Sequence, residues 1–336
     1  MRKVACTGIL VTDFIAVDLP RVSQPGEITF APRGIGMHIG GHAANVSVDL
    51  MGLGLNPGDV SCLGAVGKDF CGTFIEQTLL RHHISVKLQR TRAARTSADL
   101  ILVVKGQDRR YHADVGANSF LDPSFVLRSI QKERPLLFYV GGTGLLGKFD
   151  SNLARVLKDA QSYGCVTFVD PVMPYLKNWD YLRKALKWTD IFHCNDREAE
   201  SLTGETRLAV AIRTLRGFGP KLVLITRGRK GVMAASGQRL MSLKAFRVRT
   251  LDPTGAGDAF CAGIIHKLTQ KIQTAGSRSL DWEEDELAGI LLEVQAAGAA
   301  CVTGVGTTSA VKRKKVEELL AGQGARVRRS FKVSPI

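Results

Sequence analysis

The chain has 336 residues, 45% hydrophobic and 23% charged, which fits one large or two ordinary folded domains and excludes a disordered chain. No apolar run approaches the roughly 18 residues that a membrane-spanning helix needs. Lys and Arg number 46 against 31 Asp and Glu, a formal charge of +15 that favours anionic partners without naming one. The basic residues are dispersed except at 312–315 and 326–329, and neither cluster is interleaved with aromatics. A solvated C-terminal face accounts for them better than a nucleic-acid site. The seven cysteines include no Cys-x-x-Cys pair and mostly sit in apolar segments, as reduced, buried thiols of a cytoplasmic protein do.

Residues 1–11 have the outline of a signal peptide, but the apolar part is short, Asp13 follows at once and no small-residue cleavage site appears, so a first buried strand over 4–11 is expected. Residues 14–19 and 27–30 read as short strands separated by Pro20 and the Pro25-Gly26 turn. The run Gly34-Ile35-Gly36-Met37-His38-Ile39-Gly40-Gly41-His42-Ala43-Ala44-Asn45 then leads into an amphipathic helix over 46–54. Gly40 and Gly41 let a ligand approach the backbone. Asn45 has no propensity reason to sit in a helix, and its amide can both donate to and accept from a hydroxyl. A strand over 60–66 and a helix over 73–82 follow. Residues 97–104 and 109–115 form a hairpin around Lys105-Gly106-Gln107-Asp108. The short strands near 14–40 and 95–115 are expected to form a lid on the main sheet. Val115-Gly116-Ala117-Asn118 comes next.

After a strand over 136–140, Gly142-Thr143-Gly144-Leu145-Leu146-Gly147 matches the dinucleotide fingerprint G-x-G-x-x-G. A helix over 152–163 follows, and a strand over 166–169 ends in Asp170 at the expected offset. A nicotinamide-dependent oxidoreductase is therefore one reading. The same residues fail as a P-loop because Phe149 stands where a Mg²⁺-binding Ser or Thr belongs. A strand over 191–194 enters Asn195-Asp196-Arg197-Glu198, whose spacing suits a helix capping box and equally a Mg²⁺ site beside a phosphate. A strand over 222–226, a turn over 228–231 and a returning strand over 232–236 follow.

The densest chemistry lies at Asp252-Pro253-Thr254-Gly255-Ala256-Gly257-Asp258-Ala259-Phe260, between an extended segment, 246–251, and a helix over 259–269. A helix start offers unpaired N–H groups and partial positive charge, and glycines let an anion reach them. Asp258 would repel that anion unless it takes a proton from an attacking hydroxyl while the amides hold a transferred phosphoryl group. Asp is also a favoured helix cap, so both readings stand at this point. A helix over 287–301 follows. The alternation of strands and helices over 45–320 implies an α/β sandwich with a largely parallel sheet, in one domain over 1–320, with a basic tail at 321–336.

Read together, Gly40-Gly41-x-x-x-Asn45 and Asp252-Pro253-Thr254-Gly255-Ala256-Gly257-Asp258 resemble the two signatures of the ribokinase-like, or phosphofructokinase-B type, carbohydrate kinases. The similarity runs over 4–310. It implies a ribokinase-like three-layer sandwich with a small β-sheet lid, and transfer of the γ-phosphoryl of ATP to a hydroxyl. It implies Asp258 as base, with Gly255, Ala256 and Gly257 as anion hole. Asp13, Gly40, Gly41, His42 and Asn45 would contact a sugar or nucleoside acceptor. Asn195, Thr226, Gly228 and Gly231 would lie at the nucleotide, Asn195 and Glu198 at Mg²⁺ through water, and Asp252 and Thr254 at a monovalent cation such as K⁺. A homodimer through the lid sheet is implied as well. The chain departs from ribokinase-type sequences at His42, where Lys is frequent, and has no acidic residue over 138–145. For a nucleoside acceptor, Phe14, Phe30 and Tyr111 are the candidate clamps.

Overall fold

The computed structural model describes residues 3–107, 109–276, 278–280 and 282–336. Met1 and Arg2, and Asp108 of the expected hairpin turn, lie outside the described residues. The chain opens with β1 (Val4–Gly8), β2 (Val11–Leu19), β3 (Ile35–Gly40), α1 (His42–Gly52), β4 (Val60–Gly67), α2 (Phe70–Arg81) and β5 (Ser85–Thr91). β6 (Ala98–Val104), β7 (Arg110–Ala113), α3 (Pro123–Glu133), β8 (Leu137–Thr143), α4 (Lys148–Ser151) and α5 (Leu153–Ser162) follow. Next are β9 (Val166–Pro171), α6 (Asp180–Leu186), β10 (Ile191–Asn195), α7 (Asp196–Thr203), α8 (Leu208–Gly217) and β11 (Leu222–Thr226). β12 (Val232–Ser236), β13 (Arg239–Leu243), α9 (Ala256–Ala275), α10 (Glu284–Cys301), α11 (Arg313–Arg328) and β14 (Lys332–Pro335) complete the chain.

The main sheet has ten strands in the order β14-β13-β12-β11-β10-β9-β8-β1-β4-β5. From β5 to β11 all neighbours run parallel, and β12, β13 and β14 add an antiparallel edge. Strands such as β4 and β8 are buried at every residue, as helices on both faces require. Alternate side chains feed two cores: Cys6, Tyr139 and Leu224 pack with α1, α9 and α10, while Ala5, Phe138 and Val223 pack with α3, α5 and α8. β1 is the point where strand order reverses, with β4 on one side and β8 on the other. A crevice at the carboxyl ends of the strands is the expected ligand position in such a sheet. The fold is the ribokinase-like α/β sandwich with its smaller sheet.

That smaller sheet has the order β3-β2-β6-β7, with β2 and β6 parallel and the other pairs antiparallel. Register puts Asp13 beside His38 and Asp99, and Ile101 beside Tyr111, on the face toward the body. Phe14, Leu100 and His112 share the opposite face.

Several expectations need correction. Residues 27–30 form no strand; the glycine run 35–40 forms β3 instead, since a side chain at Gly40 would collide with the Asp13 carboxylate across the pair. Residues 4–11 are two strands broken at Ile9 and Leu10, where the chain leaves one sheet for the other. The segment 246–251 joins no ladder. Residues 321–336 are not a tail: they continue α11 and supply β14, paired with β13 from Arg239–Pro335 to Ser242–Lys332. The charge there disguised a strand whose alternate residues are solvated, as an edge strand permits. β5, α3, α4, α6, α8 and β13 had no counterpart in the sequence reading. All seven cysteines are free, and six of them are buried. Among the described residues, no helix is long and apolar enough to cross a membrane.

Candidate active site

A cavity of about 2030 Å³ opens between the carboxyl ends of the parallel strands and the small sheet. Of the residues singled out in the sequence, Asp13, Gly41, His42, Asn45, Asn195, Glu198, Thr226, Gly228, Gly231, Thr254, Gly255, Ala256, Gly257 and Asp258 line it. Gly40 and Asp252 lie behind this wall. Gly40 backs Asp13, and Asp252 is fully buried.

The start of α9 sits at one end. Gly255 is its N-cap in the left-handed region, φ 81°, and a Cβ there would come 2.7 Å from Thr307 O. No side chain caps the helix, so Asp258 does not serve as the cap. Its Oδ2 instead accepts from Asn45 Nδ2 at 2.8 Å. The other end of that amide, Asn45 Oδ1, lies 2.7 Å from the Thr307 hydroxyl. Asn45, expected at the acceptor, thus has both ends engaged and aims the carboxylate of Asp258. Burial pushes the Asp258 carboxyl above the ordinary range; His42 and the Asn45 bond oppose this and Asp170 adds to it. A carboxylate made more basic than usual is better suited to taking a proton.

Asp252 fastens the turn that leads into α9. Its Oδ1 accepts from Thr254 N at 2.9 Å and from the Thr254 hydroxyl at 2.6 Å, and its Oδ2 accepts from Gly306 N at 3.1 Å. Across the cavity, burial raises the Asp13 carboxyl well above its usual range, with Asp99, Asp252 and Asp258 adding to the effect. Asp99, beside it on β6, is pushed up to about 6, mainly by burial.

One buried polar network at the cavity was not expected from the sequence. Asp170, at the end of β9, accepts from Tyr139 Oη at 2.8 Å and meets His193 Nδ1 at 2.8 Å. His193 Nε2 is 3.1 Å from the Thr226 hydroxyl, and its ring stacks on Phe260. Burial works to raise the Asp170 carboxyl, but His193 and His42 outweigh it and hold it low. His42, at the start of α1, has a ligand atom within 4.8 Å of those of Asp170 and Asp258. Burial works against its charge, and Asp258, Asp170 and Glu198 together overcome it, so its imidazole is more basic than usual. A more basic His42 lies between the two carboxylates of this floor and offsets their mutual repulsion.

Asn195 and Glu198 form the capping box: Glu198 N donates to Asn195 Oδ1 at 2.9 Å, and Asn195 N donates to Glu198 Oε2 at 2.8 Å. These bonds engage one oxygen of each side chain, and both residues line the cavity. Burial, opposed by the Asn195 N–H, pushes Glu198 up to about 7, and nearby Asp170 contributes. A divalent cation is the partner such a carboxylate suits. Beyond it, Arg227, Arg229, Lys230, Lys244 and Arg247 border the cavity around Gly228 and Gly231. The sequence shows such residues as dispersed; here the loops after β11 and β13 bring them to one rim of the cavity, where they concentrate positive potential.

The dinucleotide reading fails on geometry. The amides of Gly144 and Leu146 donate to Asp150 Oδ2 at 3.1 and 2.9 Å, and Lys177 Nζ lies 2.6 Å from the same oxygen. The chain's own carboxylate occupies the place a pyrophosphate would need. A side chain at Gly147 would collide with Ser119 O, so that turn is packed against protein. Of the candidate clamps, Phe30 is 83% exposed and Phe14 faces away from the cleft, while Tyr111 lines it and reaches Thr254 Oγ1 at 3.4 Å.

The family model described as pfkB family carbohydrate kinase matches residues 1–314. A ribokinase of Haemophilus influenzae is 26% identical over 290 residues, covering 81% of this chain and 87% of that protein. An aminoimidazole riboside kinase of Salmonella typhimurium is 28% identical over 286 residues, covering 81% and 84%. Among solved structures, a ribokinase from Giardia lamblia superposes with TM-score 0.81 at 22% identity, covering 96% of this chain and 99% of that one. The chain belongs to the pfkB family of carbohydrate kinases, phosphotransferases with an alcohol group as acceptor.

Proposed function

We propose that the protein transfers the γ-phosphoryl group of ATP to a hydroxyl of a sugar or sugar-like small molecule, with Asp258 as general base. The observation that carries this reading is the position of Asp258 at the open start of α9, unengaged in capping and held by Asn45. The acceptor oxygen loses its proton to Asp258 as it attacks phosphorus in line, and the β-phosphate oxygen leaves with the bond's electron pair. Charge spread over the transferring group is met by the Gly255, Ala256 and Gly257 amides and the helix dipole. Asp13, Gly41 and His42 line the acceptor side. Asn195, Thr226, Gly228 and Gly231, with the cationic rim of Arg227, Arg229 and Lys230, line the nucleotide side.

Asn195 and Glu198 would hold Mg²⁺ through water, and the ion would supply charge neutralisation between the phosphates. The buried carboxylate of Asp252, with Thr254, suits a K⁺-like ion near the turn. A nucleoside acceptor is the second reading, favoured by Leu145, Met173, Tyr175 and Tyr111 along the cavity. The lid's outer face, with Leu100 47% and Ile35 68% exposed beside Phe14, suits pairing of two copies. Buried thiols suit a reducing, cytoplasmic setting.

A coupled ADP-release assay with MgATP against pentoses, hexoses, inositols and nucleosides tests the reading. Release stimulated by one acceptor class and lost in Asp258→Asn is the expected result. Equal release with and without every acceptor, or turnover retained in Asp258→Asn, overturns it.

A further inference from the structure

The geometry points to Asn118 as a positioning residue: it fixes the angle between the small sheet and the body, and through that angle the position of Asp13 over the reacting groups. The inference rests on the kinase reading for its consequence on turnover, and stands apart from it for its consequence on structure.

Ile9 and Leu10 are the two residues between β1 of the main sheet and β2 of the small one. At such a crossing the backbone leaves one ladder before joining the next, and its polar groups need other partners. Ile9 N donates to Gly141 O at 3.2 Å, and Ala43 N donates to Ile9 O at 3.3 Å. Leu10 is bracketed by one side chain: Leu10 N donates to Asn118 Oδ1 at 3.0 Å, and Asn118 Nδ2 donates to Leu10 O at 3.0 Å. An amide is the side chain that can do this, since it offers one acceptor and one donor in a plane, as a strand neighbour would. Asn118 and Leu10 are both buried, 1% and 0% exposed, so water does not compete.

The other crossings between the two sheets join the same knot. Thr12 N donates to Ser97 O at 3.0 Å, and Ala117 N donates to Arg95 O at 2.8 Å. Gly116, at φ 50°, packs so closely that a Cβ would come 2.6 Å from Arg95 O. Asn118 therefore ties the return from β7 to the exit from β1, and the lid's entry and exit move as one. Asp13 is three residues beyond Leu10 on a buried strand, about 10 Å away at about 3.3 Å per residue. A change of about 10° at the crossing displaces its carboxylate by about 2 Å, more than the ~1 Å error known to cost rate in positioned reactions.

The test uses Asn118→Asp, which keeps the acceptor for Leu10 N but sets an oxygen against Leu10 O, and Asn118→Ala, which removes both bonds without adding charge. Hydrogen–deuterium exchange of the full-length protein reads the structural arm. Steady-state kinetics with MgATP and the acceptor found for the native protein reads the functional arm. The expected result is faster exchange confined to residues 9–19 and 35–41, with β8 to β11 unchanged. The acceptor KM rises about tenfold or more while the ATP KM stays within about twofold. Unchanged exchange in those segments, or acceptor and ATP KM rising together, overturns the inference. A native protein that turns over no acceptor refutes the kinase reading alone, and the exchange arm still decides the role of Asn118. If Asn118→Asp does not fold, the alanine variant carries both readouts.

Discussion

Two glycine-rich turns in this molecule each follow an extended segment, precede a helix and carry an aspartate close by, yet only one is open to a ligand. At residues 144–146 the amides already hold Asp150, itself paired with Lys177. At residues 255–257 the aspartate is turned away from the amides and held by Asn45, a residue 213 positions distant in the chain. Glycine spacing therefore specifies a tight turn, while occupancy by the chain's own carboxylate decides whether the turn can bind an anion.

The comparison breaks most visibly at Asp258. Asp258→Asn keeps the shape and the Asn45 neighbour but cannot accept a proton, and turnover is expected to fall about 10²–10⁴-fold. Nucleotide affinity and thermal stability remain close to native. Steady-state rates beside a thermal melt check this, and a melt lowered in step with the rate would assign Asp258 to structure instead.

Asn45→Ala comes next. Removing a hydrogen bond to a charged group is worth about 1.5–3 kcal/mol, so kcat is expected to drop roughly ten- to a hundredfold. The acceptor KM changes less. A rise confined to the acceptor KM would return Asn45 to the substrate-contact role that the sequence suggested.

Asp150→Ala sharpens the other side. It leaves the Gly144 and Leu146 amides without their partner, at a cost of about 1–3 kcal/mol in stability, read as a lower urea midpoint. Turnover per folded molecule is expected to stay near native, and NADH fluorescence is expected to remain unquenched. Binding of NADH by this variant would show that a pyrophosphate site lay beneath the carboxylate.

The smallest effect concerns the helix that bears Asp258. Burial lowers the His266 imidazole to about 4, against an ordinary 6.5. The folded protein therefore refuses a proton that the unfolded chain accepts, and stability is lost as pH falls from about 6.5 toward 4. In His266→Gln that contribution disappears, so the difference in melting temperature between pH 7 and pH 5 is expected to shrink. An unchanged difference would mean that His266 is not held neutral.

The glycine turn at the start of α9 was legible because its residues are local: Asp252, Thr254, the two glycines and Asp258 lie within seven residues. The capping box of Asn195 and Glu198 was legible for the same reason, and the fold provides both of its bonds. The Asp170 network was not, because Tyr139, Asp170 and His193 are brought together by the parallel register of β8, β9 and β10. Register between parallel strands leaves no trace in a single sequence. β3 was missed because Gly36 and Gly40 blur the two-residue period; the bare Gly40 leaves room for the Asp13 carboxylate on β2, and the bare Gly36 leaves room for the imidazole of His38 on the same strand. β14 was missed because its alternation is written in solvated residues at a sheet edge.

The cysteines offer a use that their burial alone determines. Burial pushes the thiols of Cys62 and Cys165 up to about 12, and raises those of Cys6, Cys194, Cys261 and Cys301 well above the ordinary range. The thiolate is the reactive form, so a maleimide or disulfide reagent finds these sulfurs chiefly when the chain opens. With half-exposed Cys71 replaced by serine, the rate of labelling becomes a clock for opening events. The clock has two hands. Cys261 and Cys301 ride on α9 and α10, the helices beside the glycine turn at 255–257, while Cys6 and Cys62 sit in neighbouring strands of the central sheet. A bound nucleotide that slows the first pair more than the second would reveal which part of the fold it steadies, with no probe attached.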